Sequence, residues 1–300
     1  MQLSLPEKKI MGFSLIPTIR DFSELSKFRL NLLVLVTTFI GFYLAAFRID
    51  WELLAYTLFG TAFLGFSASM INQSIEIELD RKMERTKNRP LPAGRVGKRF
   101  VLLLALFLVI SGALLLFFKV NALTAVLGLA TFFSYLFLYT PLKTKSHLNT
   151  LVGAIPGAIP PVMGWTAVTN EVGLESGILF GILFLWQIPH FLAIAIMYKD
   201  DFGRGGFQML PTVDQSGKHT SQQMVLYTLA LVPVSLLLTL IGVTGLVYFV
   251  GALLFGLVFI WLSWKMAHSY SRTCAVRVFF FSIIYLPILL ALMVFDKTLL

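Results

Sequence analysis

Nine long apolar runs occupy most of this 300-residue chain: Leu30–Phe47, Leu53–Ile77, Phe100–Phe118, Ala122–Tyr139, Leu151–Val168, Ile178–Met197, Met224–Val243, Leu246–Trp264 and Val278–Phe295. A hydrocarbon core of roughly 30 Å needs about 20 apolar residues per helical crossing, so runs of this length read as membrane spans. Hydrophobic residues make up 57% of the chain and charged residues 13%, against about half and a quarter in a soluble domain. The bilayer is therefore the expected solvent. The expected fold is all-α: a polytopic membrane protein of about nine transmembrane helices around a central cavity.

A formal charge of +9 could suggest a nucleic-acid partner, but the basic residues are divided among separate loops between apolar runs, so no nucleic acid is expected. Topology accounts for them better. With the N-terminus cytoplasmic, 21 of the 24 Lys and Arg residues, from Lys8 and Lys9 to Arg272 and Arg277, fall on the cytoplasmic side. Only Arg48, Lys119 and Lys297 fall opposite, which satisfies the positive-inside rule and places the C-terminus across the membrane. The first 27 residues mix Lys8, Lys9 and Arg20 with Glu7, Asp21 and Glu24, so no cleaved targeting segment is expected there. The single cysteine, Cys274, rules out an intramolecular disulfide and reads as a small apolar residue.

Two cytoplasmic stretches, Glu78–Arg99 and Lys199–Gln223, are long and carry acids, bases, glycines and prolines together. Topology calls for the bases but not for the acids, and such loops are where chemistry concentrates. At the end of the second run, Asn72, Glu76 and Asp80 fall within about 80° of arc at 100° per residue. Asn72 then lies about 12 Å deeper than Asp80, where polar groups are costly and usually functional. Carboxylates and an amide oxygen are hard ligands suited to Mg²⁺, and the adjacent Arg81, Arg85, Arg89 and Arg95 can pair with phosphate oxygens. Together they predict a magnesium–diphosphate site; the alternative is an ion-paired helix terminus, which explains neither the depth nor the register.

The sixth run carries Gln187, Pro189 and His190 and ends in Lys199-Asp200-Asp201. It returns to the same side as Asp80, so the acidic pair and Lys199 can face Asp80 across one mouth, or can be an exposed loop pair. His190 reads either as a buried imidazole satisfied by a carbonyl that Pro189 frees, or as a group that ligates a haem iron or positions an acceptor. Pro156, Pro160 and Pro161 break the fifth run, as a packing kink or as a cavity wall. His147 reads as an interfacial loop residue.

Asn72-x3-Glu76-x3-Asp80-Arg81 resembles the first acidic motif of the UbiA superfamily of intramembrane prenyltransferases. Arg85-Thr86, Arg89-Pro-Leu-Pro-Ala-Gly-Arg95, Tyr139-Thr-Pro-Leu-Lys143, Asn149, Gly157-Ala-Ile-Pro-Pro161, Pro189-His-Phe191 and Met209-Leu-Pro211 resemble its haem-prenylating branch in the same order. Glu76 stands where that family often has Asp. Its usual Asp-x3-Asp second motif is not kept, since Ile196 and Met197 stand four residues before Asp200 and Asp201.

The resemblance implies farnesyl diphosphate as donor, haem B as acceptor and haem O as product. It also implies Mg²⁺ on Asn72, Glu76, Asp80, Asp200 and Asp201, with Arg81 assisting; Arg85, Arg89, Arg95, Lys143, Asn149, Lys199, His190 and Gln187 would bind substrate. The expected division is a cytoplasmic segment, 1–27, and one transmembrane prenyltransferase domain, 28–300, in a bacterial plasma (inner) membrane. Haem A synthase or haem-delivery proteins are the expected partners. Two other readings compete: prenylation of an aromatic quinone precursor in the same fold, and a secondary transporter. A transporter would cluster its acids near the midplane between repeated halves, whereas these acids gather at one surface and no repeat is seen.

Overall fold

The computed structural model describes residues 18–298; Glu7, Lys8 and Lys9, which enter the charge argument, lie outside the described residues, as do 299 and 300. After a short helix α1 (Ile19–Leu25), the bundle comprises α2 (Phe28–Ala45), α3 (Trp51–Ile75), α4 (Ile77–Lys82), α5 (Lys98–Lys119) and α6 (Ala122–Phe133). A π-helical segment, Ser134–Tyr139, leads into α7 (Thr140–Leu142), then α8 (Asn149–Ala158) and α9 (Pro160–Thr169). The chain continues through α10 (Leu174–Met197), α11 (Lys199–Arg204), α12 (Leu210–Val213), α13 (Lys218–Leu240), α14 (Leu246–His268) and α15 (Arg272–Phe295). Nine segments of the described residues are long and apolar enough to cross a membrane, each within a few residues of a run expected from sequence. The fold is all-α and multi-spanning.

Short polar side chains start several of these helices. Asp50 accepts from the Glu52 and Leu53 N–H groups, Asn121 from Thr124 N–H and Ser271 from Cys274 N–H, so otherwise unpaired amides are satisfied at the turns. The prolines of the fifth span separate α8 from α9 at Ile159, with Pro160 opening the second half. Residues on both sides of that break, including Pro156, Pro160 and Met163, line the cavity described below.

Lipid offers no hydrophobic drive for helix association, so close backbone approach must hold the bundle. Gly41 on α2 lies against the Pro161 carbonyl on α9, and Gly164 on α9 lies against the Thr38 carbonyl on α2; a Cβ at either would collide with backbone. Gly60 and Gly112 bring α3 and α5 together in the same manner. Leu103, Phe107, Leu254 and Phe280 remain exposed on outer faces, as lipid-facing residues should.

Candidate active site

A cavity of about 410 Å³ opens between α2, α3, the π-helical segment, α8, α9 and α10. Its deep walls are apolar, including Leu64, Phe132, Met163 and Leu183, while Lys27, Glu76, Asp80, Arg85, Arg89 and Lys143 gather at one end. Helix α3 stops at Ile75, and Glu76 is a junction with φ −91° and ψ 11° rather than a helical residue. The ladder nonetheless continues through it: Glu76 N–H donates to Asn72 O at 3.0 Å and Asp80 N–H to Glu76 O at 2.8 Å. The register read from sequence therefore survives the break.

Each of the three side chains in that register meets one cation. Lys27 Nζ donates to Asn72 Oδ1 at 2.8 Å, Lys143 Nζ to Glu76 Oε1 at 2.7 Å and Arg89 Nη1 to Asp80 Oδ2 at 2.8 Å. Asn72, Glu76 and Asp80 are buried, so these contacts gain from a low local dielectric. Lys27 caps α2 from the left-handed region, φ 48° and ψ 49°, an uncommon conformation for a side chain with a Cβ. Its ammonium also donates to the Tyr135 hydroxyl at 3.1 Å. Enclosure, with Lys143 and Arg89 nearby, brings Lys27 down to about 7. Lys143 lies 4.7 Å above the Tyr139 ring, and Thr140 Oγ1 donates to the Tyr135 carbonyl while accepting from Asn72 Nδ2. The π-helical turn thus builds one wall of the charged end, a common use of such turns.

The second charged segment reaches this end indirectly. Asp201 is buried; its carboxylate accepts from Glu84 N–H at 2.9 Å, Arg204 Nη2 at 2.7 Å and Arg85 N–H at 3.4 Å. Burial opposes its ionisation, but the Arg204 hydrogen bond and the two backbone N–H groups hold its carboxyl below the usual value. Asp201 therefore grips the turn after α4 and orients Arg85, whose guanidinium lies 4.3 Å over the Phe202 ring. Asp200 is exposed, Lys199 is half-buried, and neither lines the cavity.

Three other residues expected at the site also lie elsewhere. Arg81 is half-exposed, donating to Glu78 at 2.6 Å and to the Pro92 carbonyl, because its place on α4 turns it out toward the loop. Arg95 clasps Asp21 at 2.9 Å and Glu24 at 3.3 Å, tying the 84–95 loop to α1. Asn149 is buried and donates to the Ser146 and Gln208 carbonyls, both at 2.7 Å, pinning the loop after Lys143. These residues shape the mouth from behind. His190 and Gln187 do line the cavity; Gln187 Nε2 donates to Leu183 O at 3.0 Å, and His190 Nδ1 lies 2.7 Å from Ser282 Oγ. His147 is exposed and borders a separate pocket.

Lys27, Tyr135, Trp186 and Phe191 line the cavity but were not among the expected site residues. Lys27 lies just before an apolar run and reads as a topology signal; Phe191 enters only through the Pro189-His-Phe191 resemblance, and Tyr135 and Trp186 are indistinguishable in sequence from lipid-facing residues inside apolar runs. Among the described residues no three His, Cys, Asp or Glu side chains converge on one point, so the carboxylates present do not form a closed cage. Glu76 Oε2 and Asp80 Oδ1 have no hydrogen-bond partner among the described residues, leaving hard oxygen donors at the cavity end. That donor set fits Mg²⁺, which takes one or two carboxylates and completes its shell with phosphate and water.

Residues 34–284 match the UbiA prenyltransferase family. The chain belongs to that family. This UbiA chain is 43% identical over 288 residues to the protoheme IX farnesyltransferase of Solibacter usitatus, covering 93% of its own length and 99% of the relative's. It is 39% identical to the protoheme IX farnesyltransferase of Myxococcus xanthus, covering 94% and 96%. Among solved structures, a UbiA homologue from Archaeoglobus fulgidus bound to DMAPP and Mg²⁺ matches with TM-score 0.67 and 14% identity over 91% of this chain and 99% of that one. A structure from work on digeranylgeranylglyceryl phosphate synthase matches with TM-score 0.79 and 18% identity, covering 93% and 98%. These likenesses establish the UbiA fold, and the family makes this protein a prenyltransferase.

Proposed function

We propose that this protein transfers the farnesyl group of farnesyl diphosphate to a vinyl group of haem B, giving haem O. The observation that carries the donor half is the row of Asn72, Glu76 and Asp80, each beside a cation, at the charged end of an otherwise apolar cavity. Relatives named protoheme IX farnesyltransferase, 43% and 39% identical over nearly the whole chain, support the acceptor half.

Glu76 and Asp80, with Asn72 beside them, would hold Mg²⁺, which when bound supplies positive charge to the leaving diphosphate. Arg85, Arg89, Lys143 and Lys27 surround the same point and stabilise the charge that grows on the diphosphate oxygens as the allylic C–O bond breaks. The bonding pair leaves with the diphosphate. The terminal vinyl carbon then bonds to the allylic cation, and water adds to the adjoining carbon with loss of a proton. Walls such as Leu64, Met163 and Leu183 keep other water from the cation. Asp201 serves here by holding Arg85 rather than as a ligand.

The positive-inside asymmetry supports a cytoplasmic N-terminus and a mouth facing the cytoplasm; the bacterial relatives support a bacterial plasma membrane, and 28–300 reads as one transmembrane domain. Haem A synthase or a haem-delivery protein fits as the partner that consumes or supplies the haem. The test is to incubate purified protein with haem B, farnesyl diphosphate and Mg²⁺ and to weigh the pigment. Farnesyl-hydroxyethyl haem is the expected product; its absence, with prenylation of an aromatic quinone precursor instead, would overturn the haem assignment.

A further inference from the structure

His190 lies on the cavity face of α10 between Leu183, Gln187 and Ile194, which share that face at helical spacing. Its ring is stacked against Trp186 at 5.0 Å and 19° and against Phe279 at 5.2 Å and 26°, so its plane is held from both sides. Its Nδ1 is 2.7 Å from Ser282 Oγ on α15. Ser282 Oγ is also 2.6 Å from the Phe279 carbonyl, which can only accept, so the single hydroxyl proton is committed there. Ser282 Oγ must then accept from His190, and the imidazole carries its proton on Nδ1. Trp186 adds a second tie to the same residue, its indole N–H donating to the Ser282 carbonyl at 2.9 Å.

Neither Ser282 nor Phe279 lines the cavity, whereas His190 does, so the Nδ1 edge turns away and the opposite edge turns in. Nε2 has no hydrogen-bond partner among the described residues. Gln187, the nearest amide on the same face, spends its N–H donors on Leu183 O and Ala154 O. The result is an unprotonated imidazole nitrogen, fixed in plane and direction, inside an apolar chamber. A histidine that ligates a metal usually donates its other N–H to an oxygen that sets its tautomer, and Ser282 occupies that place.

We propose that Ser282 is a positioning residue that holds His190 as the Nδ1–H tautomer, so that Nε2 ligates the iron of the bound haem acceptor. This rests on the haem assignment above. It places the iron against α10, across the cavity from the diphosphate end, with Trp186 and Phe191 beside the macrocycle.

The test uses the full-length protein in detergent, loaded with haem B without donor, and reads the iron–histidine stretching band of the ferrous complex by resonance Raman together with haem affinity. The wild type is expected to show the band and His190→Ala to lose it. Ser282→Ala is expected to shift or weaken the band and to lower haem affinity about tenfold or more, while Ser282→Thr, which keeps the hydroxyl, restores both. A band that persists in His190→Ala, or a Ser282→Ala variant with unchanged band and affinity, overturns the proposal. If Ser282→Ala does not fold, Ser282→Cys, whose sulfur is a weaker acceptor, is expected to shift the band, and an unshifted band in that variant overturns the positioning role. Wild-type protein that makes farnesylated haem but shows no histidine band defeats this proposal alone; protein that makes none defeats the haem assignment.

Discussion

Lys143 Nζ lies 2.7 Å from Glu76 Oε1, joining the end of α3 to the end of the fourth span across 67 positions of sequence. Burial works against the Lys143 charge, but Tyr139 and Glu76 outweigh it and raise the ammonium above its usual value. A base raised on folding contributes stability that is complete below its unfolded value of about 10.4 and is lost only as pH rises through the higher folded value. Lys143 therefore stays charged throughout neutral pH. Lys143→Met should lower kcat by about 10²-fold and, by removing a positive neighbour, shift the Lys27 titration upward from about 7. A pH–rate profile of the variant and the wild type checks both parts.

Asp80 carries one carboxylate oxygen on Arg89 and leaves the other toward the cavity. Asp80→Asn keeps the shape and removes the charge. It should cut prenyl transfer by about 10³-fold and raise the Mg²⁺ concentration needed for half-maximal rate. Full activity in well-inserted protein would remove Asp80 from the donor site.

Asp201 should behave differently, since its oxygens hold the Glu84–Arg85 turn. Asp201→Ala is expected to cost about 2 kcal/mol of stability and to leave the Mg²⁺ dependence of the residual activity unchanged. Its lowered carboxyl gives the sign of the pH effect: the stabilisation is present above about pH 4 and is lost as pH falls through the folded value. Protease sensitivity of the 84–95 loop, followed from neutral to acid pH, should rise only at the acid end in the wild type and at every pH in the variant.

Gly164→Ala places a methyl group against the Thr38 carbonyl, and backbone cannot rotate aside. The variant should lose about 2 kcal/mol or more through separation of α2 from α9. Thermal unfolding in detergent measures it, and a variant as stable as wild type would contradict the close approach of these helices.

Much of this architecture is legible in sequence because lipid makes hydrophobic length decisive: the spans, and the Asn72–Glu76–Asp80 face, follow from apolar runs and a 100° step. Charge is harder to place. Arg81, Arg89 and Arg95 look equivalent as neighbours in one loop, yet only Arg89 reaches the cavity, because Glu78 and the Asp21–Glu24 pair of α1 draw the other two away. Asp201 is similarly ambiguous, since a carboxylate that binds metal and one that binds backbone N–H groups have the same letter. Ser282 has no sequence signal; its importance follows from the crossing of α15 and α10 beside His190.

The backbone contact of Gly41 and Gly164 with the facing helix has a consequence for how the protein meets membranes of different thickness. Helix α2 carries Lys27 at its end and is locked to α9, so it cannot tilt by itself to match a thinner or thicker bilayer. Helix α14, which has a broad exposed face and meets its neighbours at Gly251 and Gly256 only through side chains, is free to absorb the mismatch instead. Lys27 is thereby held at a fixed height against α9, and the charged end keeps this anchor while the outermost helix adjusts.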